Sequence, residues 1–89
     1  MKFTWDENKA LSNISKHDIS FEEAKTVFED LLYIDFYDPE HSIDEDRYII
    51  VGQSKQGRLL IVAYAEREDS IRLISARRAT RSEIKIYEQ

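Results

Sequence analysis

Apolar positions along this chain switch between a period of two and a period near 3.6, and each switch marks an element. Phe3 and Trp5 alternate with Lys2 and Thr4, the pattern of a short opening strand. Asp6 stands where an N-cap belongs, and Ala10, Leu11 and Ile14 form a helical stripe that runs to about Lys16. After a break at Asp18-Ile19, Ser20-Phe21-Glu22-Glu23 reads as a capping box. In such a box the Ser20 hydroxyl takes the Glu23 amide, and the Glu23 carboxylate returns to the Ser20 amide. The helix it opens is expected to bury Phe21, Ala24, Phe28 and Leu31 on one face.

From Leu32 the pattern turns strand-like. Leu32 to Tyr37 is rich in strand formers, and Asp38 to Asp46 is an acidic loop with the only proline, Pro39. Arg47 to Gln53 predicts a strand, and Lys55-Gln56-Gly57-Arg58 a turn in which Gly supplies a positive φ. Leu59 to Glu66 is nearly continuous in apolar residues, as expected of a central strand covered on both faces. Ile71 to Arg78 completes a meander, and Thr80-Arg81-Ser82-Glu83 is a second capping box, opening a last helix through Ile84 and Tyr87.

These elements give an α+β fold in one domain over residues 1–89. Two N-terminal helices pack on one face of a four- to five-stranded, mainly antiparallel sheet, and a short helix is appended. Strand parity puts Arg72, Ile74, Ala76 and Arg78 on one face and Leu73, Ser75 and Arg77 on the other. Arg72 and Arg77 therefore share a face only if a bulge resets the register. Guanidinium groups on an inner strand need a partner, and an anion such as phosphate suits the planar fork of Arg. The face left open by the helices is where such an anion would bind.

Composition narrows the function classes. The chain has no cysteine, so neither disulfides nor thiolate metal sites arise. Its start carries no apolar signal-peptide core, and its longest apolar run, Leu59 to Ala65, is too short to span a bilayer. A cytoplasmic location is the expectation. The net charge of −5 is unevenly spread: residues 1–46 hold four lysines against thirteen carboxylates, and every arginine lies at or after Arg47. That asymmetry points to an anionic partner for the second half, or to halves that neutralise each other in the fold.

Several patterns occur together in order. Phe3-x-Trp5-Asp6-x-x-Lys9-x-x-x-Asn13-x-x-Lys16-His17-x-Ile19-Ser20-Phe21-x-x-Ala24 is followed by Val27-Phe28-x-Asp30, Glu45-x-Arg47 and Gly52-x-Ser54. The chain closes on Ile71-Arg72-x-Ile74-Ser75-Ala76-Arg77-x-Ala79-Thr80-x-x-Glu83. The ordered set resembles the BrnT-type toxins of type II toxin–antitoxin systems. The resemblance implies a RelE-like fold and a ribonuclease that cleaves RNA and inhibits translation. It also implies a BrnA-type antitoxin with a DNA-binding domain, through which operator DNA is contacted indirectly. No membrane role and no cofactor are implied.

Metal-independent RNA cleavage that leaves a 2′,3′-cyclic phosphate needs a base, an acid and cations on the crowded phosphorus. Lys16 and His17 offer a cation beside a group that titrates near neutrality. Their plain structural alternative is to offset the negative end of the first helix. Arg72 and Arg77 are the candidate phosphate clamps, with Arg47 beside them as an RNA contact. Their alternative is pairing with Asp30, Glu45 or Glu83. Trp5 is a candidate for stacking on a base, or a core residue beside a helix cap. His41 with Asp38 or Asp44 is a weak metal pattern, and no metal site is assigned. A different class of function also stands: a catalytically weak, antitoxin-binding co-repressor. The net negative charge motivates it, as does Ile84, which takes a place where the resembled toxins often carry a basic residue.

Overall fold

The computed structural model describes residues 1–89. Strand β1 (Lys2–Thr4) leads into helix α1 (Glu7–His17) and helix α2 (Phe21–Lys25), which runs on as a 3₁₀ turn over Thr26–Glu29. Strand β2 (Ile34–Tyr37) precedes a short 3₁₀ turn at Pro39–His41. Strands β3 (Arg47–Gln53), β4 (Leu59–Glu66) and β5 (Ser70–Arg78) follow, and helix α3 (Arg81–Tyr87) closes the chain. The strand order is β1-β5-β4-β3-β2, so β4 is central. The sheet is mixed: β1 runs parallel to β5 and every other pair is antiparallel. No helix is long and apolar enough to cross a membrane.

The core lies between the sheet and the helices α1 and α2. Ile50, Leu60, Val62, Tyr64, Ile71, Leu73 and Ala76 from the sheet meet Ala10, Ile19, Phe21, Ala24 and Val27. Each large aliphatic or aromatic side chain removed from water there contributes about 1.5–3 kcal/mol. Gly52 is required where the 3₁₀ turn crosses β3, since a Cβ would stand 2.9 Å from Val27 Cγ1. Gly57 holds φ +82° in the β3–β4 turn, a conformation that costs glycine nothing.

Three expectations need correction. The buried face of α1 carries Ala10 and Asn13, while Leu11 and Ile14 face water. Asn13 is buried because its amide completes a sheet edge: Nδ2 donates to Ala76 O at 2.8 Å and Ile19 O at 2.9 Å, and Oδ1 accepts from Ala76 N at 3.0 Å. Leu31 is 98% exposed, because the chain leaves its helical path at Glu29 and turns at Asp30. The Ser20 cap is half a box. Ser20 Oγ accepts from Glu23 N at 3.0 Å, but the Glu23 carboxylate turns inward to Arg58 and Ser54. The Thr80 box is complete.

Candidate functional site

The face of the sheet opposite α1 and α2 is only partly covered, by α3 at one end. Its cross-strand rows follow from the register. Ile34, Val51, Ile61 and Arg77 form one row, and Phe36, Ile49, Ala63 and Ser75 the next. Arg47, Ala65 and Arg72 form a third. Ala65 is small and fully buried, so no large side chain separates the two arginines that flank it. The Glu45 carboxylate reaches these arginines from the loop before β3. It accepts from Arg72 Nη2 and, at 3.0 Å, from Arg67 Nη2, and Arg47 Nη2 lies 3.6 Å away. Burial pushes the Glu45 carboxyl up, but the Arg72 charge, the Arg67 hydrogen bond and the Arg47 charge outweigh it and hold the group below the usual glutamate range. Three cations around one anion leave the cluster net positive. Arg47 Nε and Arg72 Nε are buried and have no hydrogen-bond partner.

Arg77 reaches the same face because β5 carries a bulge. Ala63 pairs with Ser75 and Tyr64 with Leu73, so Ile74 is an extra residue. The bulge inverts the strand's parity, placing Leu73 and Ala76 together in the core and Arg72 and Arg77 together on the open face. The fork of Arg77 is occupied: Nη1 and Nη2 each donate to Glu83 at 2.8 Å. That hydrogen bonding, with the Thr80 amide, pulls the Glu83 carboxyl down to about 2. Glu83 thus both caps α3 and ties it to β5.

Beyond β1's short pairing, the outer edge of β5 is met by α1. Lys16 and His17, in the last turn of α1, share a shallow cleft with Ile74 and Ser75. Along β5 this cleft falls between Arg72 and Arg77. Arg47 and Arg72 thus share one cluster on the open face, Arg77 stands two rows along it with Glu83, and Lys16 and His17 lie at the β5 edge between them in the strand's sequence. The fold does not bring Trp5 to them: the indole packs edge-on against Phe21 at 5.9 Å on the helix side. His41 Nδ1 lies 2.8 Å from Asp38 Oδ2, and no third metal-binding side chain joins them.

The sequence offers Glu45 as one of three possible partners of these arginines, with Asp30 and Glu83; in the structure it sits at the centre of Arg47, Arg67 and Arg72. Its signal was the Glu45-x-Arg47 spacing at the start of a strand. Asn13 went unassigned; its signal was a polar side chain three residues after Ala10, on the buried face. Chemically, this face and edge carry guanidinium, ammonium and imidazole groups. That set suits a phosphodiester more than a neutral ligand.

Residues 5–83 match the family described as the ribonuclease toxin BrnT of type II toxin–antitoxin systems. The chain is also similar in structure to the Brucella abortus ribonuclease toxin BrnT, known from a 1.1 Å crystal structure. That likeness has a TM-score of 0.69 at 24% identity and covers 91% of this chain and 99% of the other. No curated protein matches the sequence. With nearly its whole length matched, the chain belongs to the BrnT family of ribonuclease toxins of type II toxin–antitoxin systems.

Proposed function

We propose that this chain is a metal-independent endoribonuclease with a RelE-like fold, acting as one toxin domain in the cytoplasm to cleave RNA and arrest translation. The observation that carries this reading is the Arg47–Ala65–Arg72 row, with two unpartnered buried Nε groups beside a carboxylate that already fills an anion's place. An RNA phosphate arriving at this row takes over the Glu45 contacts with Arg47 and Arg72. Arg72, and Arg77 once its fork exchanges Glu83 for the phosphate, then stabilise charge building on the non-bridging oxygens. His17 moves the proton between the ribose 2′-OH and the leaving 5′-oxygen, and Lys16 adds positive charge at the cleft. The product is a 2′,3′-cyclic phosphate. In this reading Trp5 stays a packing residue and takes no base.

The family implies an antitoxin. We take it to be BrnA-type, with a DNA-binding domain, and to cover the arginine face with acidic side chains. Induced expression of the chain without its partner tests the activity. Growth arrest with RNA fragments ending in cyclic phosphate is expected, as is unchanged cleavage by the purified protein in EDTA. Soluble, folded protein with an intact RNA pool rejects the reading.

One observation favours a second reading, a weak nuclease that serves mainly as co-repressor. Both clamp arginines, Arg72 and Arg77, are already held by carboxylates of the same chain. That reading expects tight antitoxin binding with no RNA turnover.

A further inference from the structure

We infer that the open edge of β2 is a docking edge for an extended segment of the antitoxin whose residues alternate apolar and basic; this rests on the family's implication that an antitoxin exists. Strand β2 is the last strand on its side of the sheet. Asp38 N donates to Arg47 O at 2.9 Å, so by antiparallel alternation the N–H groups of Asp35 and Tyr37 point away from β3. The edge is short and carries one charge, Asp35, as its only protection. It carries no Lys, no Pro and no bulge, and its side chains are half-exposed Ile34, Phe36 and Tyr37, preceded by exposed Leu31 and Leu32. A free strand edge with this much apolar surface is a template for another strand.

The alternation along β2 says what that strand carries. Ile34 and Phe36 lie on the open face, where they border a hollow of about 300 Å³ lined by Val51, Ile61, Ile86 and Tyr87. Apolar side chains of the incoming segment belong on that face. Asp35 lies on the other face of the strand. Residues 26–46 contain eight carboxylates and neither Lys nor Arg. Asp35, Glu40, Asp44 and Asp46 have no basic partner anywhere in the chain. Basic side chains of the incoming segment belong opposite these. The same charge argues against a second copy of this chain: pairing two β2 edges brings Asp35 close to Asp35 and crowds the two acidic loops together.

Hydrogen exchange on the chain alone, and on its complex with the product of the adjacent reading frame, tests this. The expected result is slowing of the Asp35 and Tyr37 amides by about tenfold or more on complex formation, because both acquire acceptors. Phe36→Glu should weaken that complex by about tenfold or more with the melting temperature unchanged. Glu40→Lys with Asp44→Lys, both exposed loop positions, should weaken it with a steeper loss at low salt. A complex that forms but leaves the Asp35 and Tyr37 amides unprotected overturns the inference alone. Protection already present in the isolated chain, with a mass that doubles on concentration, overturns it in favour of self-pairing. Absence of any complex overturns both the inference and the assignment of that neighbour as antitoxin.

Discussion

Two glutamates in this protein bind arginine, Glu23 on the buried side of α2 and Glu45 on the open face, and they are held in different ways. Glu23 is 4% exposed, and both its oxygens are used. Oε2 accepts from Ser54 Oγ at 2.7 Å and Arg58 Nε at 2.9 Å, and Oε1 accepts from Arg58 Nη2. The Arg58 hydrogen bond outweighs burial and holds Glu23 below its ordinary range. This network joins α2 to the β3–β4 turn and leaves no Nε unsatisfied. The Glu45 cluster is half-exposed, crowded with cations, and leaves two buried Nε groups without acceptors. A closed network like that of Glu23 holds a fold together, whereas a half-exposed carboxylate shared by three arginines, with donors left unmet beneath it, is a place where another anion can exchange in.

The contrast can be broken from either side. Arg58→Ala is expected to have the largest effect, because it leaves the Glu23 carboxylate buried with only the Ser54 hydroxyl. A domain of this size should lose about 10 °C or more in Tm, read by a thermal melt. Arg72→Ala is the matched change on the open face. It should lower RNA cleavage by about 10²–10³-fold, the scale of losing one transition-state donor, with a melt within a few degrees of the parent. If Arg72→Ala melts like Arg58→Ala, the two clusters are alike and both are structural.

A smaller effect separates the role of Glu45. If it holds the place of a phosphate, Glu45→Gln should raise affinity for a short RNA by about 3–10-fold, measured at fixed salt, because a like charge leaves the site. Weaker binding would mean that Glu45 chiefly orients the arginines. The smallest effect is in pH. Glu83 is depressed to about 2 from an ordinary 4.5, chiefly by the Arg77 hydrogen bond. A depressed carboxyl contributes stability that is complete above its unfolded value and is lost as the pH falls through the folded one. Exchange protection of α3 should therefore hold from pH 7 to about 4.5 and decline between there and about 2.

Much of this frame is legible in the chain. The β3–β4–β5 meander shows because alternation, a Gly turn and a nearly continuous apolar central strand agree with one another. The helix caps at Asp6, Ser20 and Thr80 show because their chemistry is local. The buried face of α1 does not show, since Asn13 is inside and Leu11 outside. A polar side chain is admitted to the core there by three backbone partners that only the tertiary fold supplies. The arginines and Glu45 as one possible counterion are legible in the sequence, but not that a single carboxylate serves three of them. Glu45 reaches them from a loop, and loops have no period to read.

The extra residue at Ile74 has a meaning for any attempt to align or transplant this strand. Arg77 and Arg78 are neighbours of the same type, and only the count of residues before them decides which one meets the open face. Ile74 is apolar and fits either parity, so nothing in the hydropathy of β5 marks the insertion. An alignment that slides a gap past it, or a graft that omits it, keeps every arginine and delivers the wrong one. The chemistry on this face is therefore specified by chain length as well as by side chains.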